Sequence, residues 1–123
     1  RTVAIRIPES PAVARRIEHR VAGADANPYL VLAAVLAGAL YGMENKLMPP
    51  PPIAGDAYSE LNEELLLLYN WAQATEIFCN SDVLKEYLGE EFLRVYSAIK
   101  RQEQAILGQR ITDVEYEAYL GLL

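Results

Sequence analysis

Arginine and glutamate alternate along one short stretch near the start of the sequence. In the run ARRIEHRV, Arg16, Glu18 and Arg20 are separated by single intervening residues. On an extended strand, side chains two residues apart point to the same face. The spacing therefore predicts that three charged groups share one patch.

A lone carboxylate between arginines has its charge overcompensated, so the patch favours an anion. The planar guanidinium fork suits carboxylate and phosphate groups. Glu18 could also ligate a hard cation such as Mg²⁺ beside a phosphate, because hard cations prefer oxygen ligands. Arginines and metal ions are the groups that phosphoryl transfer uses to neutralise charge. The alternative is that Glu18 merely pairs with Arg16 and Arg20 on a solvated face, where such pairs contribute little to stability.

Two other reactive side chains are interpreted as structural. His19 falls on the opposite face of the same strand, between the apolar residues Ile17 and Val21. Cys79, in EIFCNSD, has no cysteine or histidine near it in the sequence, so a packing role is expected. Neither residue is therefore placed in the charged patch.

Two strands are predicted to position the patch, at about residues 2–8 and 14–22. Both segments alternate with a period of two, and prolines interrupt the stretch between them. Residues 1–27 are accordingly interpreted as the strands and loop of the candidate site. The expected fold class is α+β, with these short strands followed by a mostly helical bundle.

A long helix is predicted to follow the strands. Asn27 is a good N-cap and Pro28 fits the first helical position, so a helix is expected over 28–48. The run PYLVLAAVLAGALYGM carries no formal charge on any face, which predicts a helix buried all round. It is shorter than the roughly 20 apolar residues that span a membrane, so a membrane segment is not expected.

The rest of the chain is predicted to be helical. Four prolines open a connector at 49–58, and a helical region is expected over 59–123. Gly89 is expected to end one short helix. Thr112 and Glu115 have the spacing of a capping box at the start of the last helix.

Charge and composition exclude several classes of function. The 123 residues are 52% hydrophobic and carry a net charge of −6, with a basic balance confined to the first 20 residues. The acidic remainder argues against nucleic-acid binding, which needs basic surface. The single cysteine fits a reducing compartment, so a cytoplasmic protein is expected. No signal peptide is visible, and a first residue other than Met fits a cut inside a longer protein.

The runs RTVAIRIP and ARRIEHRVAGADANPYLVLAAVLAGALYGMENKL closely resemble the carboxy-terminal part of the glutamine synthetase catalytic domain. The shared pattern is Arg-Ser/Thr, a strand ending Arg-Ile-Pro, then Arg-x-Glu-x-Arg, and Ala-Asn-Pro-Tyr-Leu opening a long helix. The motif EHR-AGADANPY and the segment GEEFLRVYSAIKRQE resemble the sequences of the branch that includes gamma-glutamylpolyamine synthetases.

The resemblance implies a role for each matching residue. Arg1 matches the arginine that stabilises the phosphoryl group during transfer. Arg6 and Arg16 match arginines that line the nucleotide phosphate site. Glu18 matches a metal ligand, and Arg20 matches the arginine that holds the carboxylate of the substrate glutamate.

The resemblance also implies an activity. A full-length enzyme of this kind uses ATP and Mg²⁺ or Mn²⁺ to activate glutamate as γ-glutamyl phosphate, which ammonia or an amine then converts to an amide. It is expected to be a homo-oligomer, a dodecamer by resemblance. The other metal and substrate ligands lie upstream in the family, so this chain alone is expected to be inactive. The rival interpretation is a non-catalytic helical interaction or oligomerisation module derived from the family.

Overall fold

The computed structural model describes residues 3–53, 55–56 and 66–122. The chain divides into two compact units, Arg1–Leu67 and Leu68–Leu123. Among the described residues, the first unit holds two short strands and one long helix, and the second holds four helices. The predicted α+β class is confirmed.

Two antiparallel strands form a small ribbon at the start of the first unit. Strand β1 is Ile5–Arg6 and strand β2 is Glu18–His19, with Ile5 opposite His19 and Arg6 opposite Glu18. Both strands are shorter than predicted. Prolines 8 and 11 follow β1, and a 3₁₀ turn at Ala12–Ala14 lies in the connection. Because proline has no backbone N–H, the two strands have few donors there for further interstrand hydrogen bonds.

Helix α1, Pro28–Glu44, begins where the sequence predicts. The Asn27 side-chain oxygen accepts hydrogen bonds from the backbone N–H groups of Tyr29, at 3.0 Å, and Leu30, at 3.3 Å. Pro28 occupies the first turn, where a missing N–H costs no helical hydrogen bond. The helix ends before the predicted limit of residue 48, and Lys46 adopts a left-handed φ of 52°.

The described part of this chain does not bury α1, contrary to the expectation of a helix buried all round. Ala37, at 4% exposure, is the one buried residue of α1. The side chains of Leu32, Leu36 and Met43 are more than half exposed. The ribbon is only two strands wide, so it covers one side of the helix at most.

Four helices follow in the second unit. They are α2 (Trp71–Asn80), α3 (Asp82–Leu88), α4 (Glu90–Leu107) and α5 (Asp113–Tyr119). The predicted division at Gly89 is confirmed, and its φ of 86° explains why glycine fits there. Residues 57–65, where the helical region was expected to begin, lie outside the described residues, and 66–70 are not helical.

The core of the second unit lies where α2 meets α4. Leu93 is 1% exposed, and the small residues Thr75 and Ser97 are buried with it. Phe78 packs edge-on to Phe92, with ring centroids 6.4 Å apart. These contacts tie α2 and α4 together through side chains of both.

No helix in the described ranges is both long and apolar enough to cross a membrane.

Candidate functional site

An ion pair joins the two strands of the ribbon. Arg6 Nε donates to Glu18 Oε2 at 2.7 Å, and Arg6 Nη2 donates to Oε1 at 3.0 Å. The antiparallel register places the two residues directly opposite each other. Both guanidinium arms therefore hold both oxygens of one carboxylate, which is the strongest geometry for such a pair.

Arg16 and Arg20 add positive charge around the same carboxylate. Arg16 Nη2 lies 3.5 Å from Glu18 Oε1. The hydrogen bonds from Arg6 lower the pKa of Glu18; partial desolvation opposes them, and the charges of Arg6, Arg16 and Arg20 reinforce them. The structure thus gathers three of the predicted site residues, Arg6, Arg16 and Arg20, around the carboxylate of a fourth, Glu18.

Arg1, the fifth predicted site residue, lies outside the described residues. Its expected role in phosphoryl transfer stays a prediction.

His19 lies away from this patch, as its position in the alternation predicts. It lines a groove against α1 together with the apolar residues Ile5, Ile17, Val31 and Val35. The neighbours of this imidazole are therefore apolar side chains of the ribbon and the helix. This placement supports a structural interpretation of His19.

Cys79 belongs to the helical unit. The thiol is partly exposed on α2 and is one cause of the raised pKa of Arg101, after the larger effect of the hydrogen bond from Arg101 to Glu76. Arg101 Nη2 lies 2.7 Å from Glu76 Oε1, so this ion pair links α4 to α2. Cys79 therefore lies beside a surface ion pair between two packed helices.

Sequence spacing alone did not show the pairing of Arg6 with Glu18. The family resemblance alone predicts a phosphate-binding role for Arg6. Its alternation in TVAIRIP places it on the polar face of the first strand. An antiparallel pairing of the two strands with the polar faces aligned is the signal that would have brought it opposite Glu18.

The carboxylate of Glu18 is a type of ligand that divalent cations prefer, but it is one ligand where such a cation takes several. A carboxylate oxygen suits Mg²⁺ or Mn²⁺, which take several oxygen ligands. Among the described residues, no group of three or more His, Cys, Asp or Glu side chains could hold a metal ion. The described part of the chain therefore offers Glu18 as a single ligand of such a cation.

The matching family profile and the similar proteins all point to the same family. A sequence profile described as "Glutamine synthetase, catalytic domain" matches residues 1–119. The chain is 43% identical, over 95% of its length, to gamma-glutamylputrescine synthetase PuuA of Escherichia coli, and covers 24% of that protein.

Two further relatives extend the comparison. Type-1 glutamine synthetase 2 of Dictyostelium discoideum is 39% identical over all of this chain, which covers 24% of it. Glutamate–isopropylamine ligase of a Pseudomonas species is 38% identical over all of this chain, which covers 27% of it. The chain thus spans about a quarter of the length of the relatives that it matches.

Proposed function

Because the chain belongs to the glutamine synthetase family, within the catalytic domain, we propose that it is the carboxy-terminal portion of an ATP-dependent ligase that joins glutamate to ammonia or an amine. The observation that carries this proposal is the cluster of Arg6, Arg16 and Arg20 around the single carboxylate of Glu18. An excess of guanidinium groups beside one carboxylate suits a reaction that gathers phosphates and a second carboxylate.

Each of the five predicted site residues has a proposed task. Arg6 and Arg16 bind the phosphates of ATP, and Arg20 holds the carboxylate of glutamate through its two-armed fork. Arg1 neutralises the phosphoryl group as it moves. Glu18 contributes one oxygen ligand to Mg²⁺ or Mn²⁺, and the remaining ligands come from other parts of a full-length ligase.

The proposed reaction has two steps. The γ-carboxylate of glutamate attacks the terminal phosphorus of ATP, giving γ-glutamyl phosphate and ADP. The amine nitrogen then attacks the γ-carbonyl carbon, phosphate leaves, and a proton is lost from nitrogen as the amide forms. The divalent cation, when bound, neutralises charge on the phosphate oxygens. The arginines do the same from the protein side without needing a proton transfer.

The acceptor is proposed to be an amine of the polyamine type. This proposal rests on the likeness to gamma-glutamylputrescine synthetase PuuA, and the likeness to glutamate–isopropylamine ligase shows that amine acceptors recur among the relatives. We further propose that the full-length protein is cytoplasmic and homo-oligomeric, a dodecamer by family resemblance.

The test uses the full-length protein that carries this segment. Phosphate release is measured with ATP, glutamate and, in turn, ammonia, isopropylamine and putrescine. Glu18→Gln keeps the size of the side chain but removes its charge, so it is expected to lower kcat on the order of 10²-fold and to raise the Mg²⁺ concentration needed. Glu91→Gln is the matched control, because one arginine, Arg94, holds both oxygens of this exposed carboxylate, as Arg6 holds both oxygens of Glu18.

Different outcomes separate the two interpretations. Activity that depends on Glu18 but not on Glu91 supports the ligase, and equal effects of both variants overturn the site assignment. A full-length protein that releases no phosphate with any acceptor supports the non-catalytic module. The 123-residue chain alone is expected to release none.

A further inference from the structure

The carboxylate of Glu18 engages guanidinium donors that would also suit a phosphate group. Arg6 Nε and Nη2 donate to Oε2 and Oε1 at 2.7 and 3.0 Å, and Arg16 Nη2 lies 3.5 Å from Oε1. Phosphate oxygens accept paired hydrogen bonds from a guanidinium group in the same way as a carboxylate does. Any phosphate that takes both arms of Arg6 must therefore first displace Glu18 from them.

The ribbon keeps Glu18 at Arg6. The two residues are cross-strand partners in the antiparallel register, and Arg20 N donates to Ala4 O at 2.9 Å on the flanking residues. The backbone thus tethers the carboxylate beside the guanidinium, which raises its effective concentration there. A dissolved anion competes against a carboxylate that cannot diffuse away.

The pair is nevertheless open to exchange with an anion from solution. The side chains of Arg6 and Arg16 are 52% and 58% exposed, and that of Glu18 is 29% exposed. Ion pairs at such exposed positions are weak. A phosphate group carries up to two negative charges and three strong acceptor oxygens, so it can engage Arg6 and Arg16 together. Phosphate is therefore able to take Arg6 from Glu18.

We propose that Glu18 is an internal competitor that occupies Arg6 until a phosphate group displaces it, an inference that rests on the proposed phosphate-binding role of Arg6 and Arg16. Glu18 keeps the guanidinium of Arg6 paired and oriented when no phosphate is bound. When phosphate binds, Arg6 turns from Glu18 to the phosphate oxygens. The measured affinity for phosphate is then reduced by the fraction of molecules in which Arg6 is still paired. This competition requires no metal ion.

The experiment titrates the 123-residue chain with inorganic phosphate and follows the NMR shifts of the backbone amides of residues 5–6 and 16–20. Sodium chloride holds the ionic strength constant, because added salt alone would screen the ion pair. In Glu18→Gln, the Kd for phosphate is expected to fall roughly two- to fivefold, which is the range for an exposed ion pair. Unchanged amide signals of α1 show that each variant is folded.

A double-mutant cycle separates competition for Arg6 from simple repulsion of phosphate by the Glu18 charge. In an Arg6→Gln background there is no guanidinium to release, so Glu18→Gln is expected to improve the phosphate affinity much less than in the original chain. Arg6→Lys keeps the positive charge but loses the fork, so the improvement in that background is expected to be intermediate. An equal improvement in all three backgrounds would show that Glu18 merely repels phosphate, and it would overturn the competition.

The matched control is Glu91→Gln, which removes the same charge from a carboxylate that Arg94 holds with two arms on α4. It is expected to leave phosphate binding at the ribbon unchanged. If it raises the affinity there as much as Glu18→Gln does, the competition is overturned while the phosphate role of Arg6 and Arg16 stands. If phosphate shifts no ribbon amide even in Glu18→Gln, the proposed phosphate role itself fails.

Discussion

Arg20 stands apart from the other arginines around Glu18. Arg6 and Arg16 come within hydrogen-bonding distance of the carboxylate, whereas Arg20 acts on it through its charge. In the part of the chain that the structure describes, Glu18 thus does not engage the donor fork of Arg20. This arrangement supports the proposal that Arg20 binds the carboxylate of a substrate.

The variant Arg20→Lys tests this assignment in the full-length protein. Lysine keeps the positive charge but loses one of two parallel hydrogen bonds, so the KM for glutamate is expected to rise on the order of tenfold with kcat nearly unchanged. Arg15→Lys is the control, because Arg15 is a neighbouring exposed arginine outside the patch. Steady-state kinetics with varied glutamate measure both. A fall in kcat at constant KM would contradict a binding role.

Spacing predicted part of this site and could not predict the rest. Residues 16, 18 and 20 share a face because the period of an extended strand fixes it. The pairing of Arg6 with Glu18 depends on strand register, which the connection between the strands sets. That connection contains two prolines and a 3₁₀ turn, whose combined geometry no periodic pattern describes.

Helix ends depend on residues close in the sequence, whereas strand ends depend on residues far apart in the sequence, so the sequence predicts the helix ends better. Helix boundaries at Asn27, Gly89 and Thr112 were predictable because capping involves residues only a few positions apart. The strands were predicted too long because alternation shows which residues are able to pair, while pairing itself needs a partner opposite. In the structure, Ile5–Arg6 pairs with Glu18–His19.

The capping box of α5 makes this helix sensitive to acid. Thr112 N donates to Glu115 Oε2 at 2.7 Å, and Glu115 N donates to Thr112 Oγ1 at 3.3 Å. The hydrogen bond from the Thr112 backbone, with a further one from its side chain, lowers the pKa of Glu115 below 4.5. A lowered pKa means that the charged carboxylate stabilises the folded helix above the ordinary carboxyl pKa. This stabilisation disappears as the pH falls through the lowered value.

We therefore expect α5 to fray at acid pH. The Cα chemical shifts of residues 113–119, followed from pH 7 to pH 2 by NMR, should move toward random-coil values with a midpoint below 4.5. Glu115→Gln should remove most of this pH dependence, and Thr112→Ala should weaken the helix at all pH values by about 1 kcal/mol. Glu117→Gln, in the same helix but outside the box, is the control. Fraying that Glu115→Gln leaves intact would show that another group causes it.

At the scale of the whole molecule, α1 has more apolar surface than the described residues cover. Leu32, Leu36, Leu40 and Met43 follow each other at helical spacing, and each is exposed by 44% or more. The absence of charge along the helix predicted burial, and the described residues do not provide it. The chain spans about a quarter of the length of its relatives, so the cover is expected to come from other parts of a longer protein.

The 123-residue chain alone is therefore expected to self-associate through its exposed apolar surface. Leu36, with 53% exposure, and Ala37, with 4%, are adjacent in α1 but differ in environment. Leu36→Asp should reduce the associated fraction in sedimentation velocity and leave the thermal midpoint nearly unchanged, because the new charge stays in water. Ala37→Asp should unfold the helix, since a buried carboxylate without a partner is very costly. Unfolding by Leu36→Asp at concentrations where the chain is monomeric would show that this chain buries the leucine face itself.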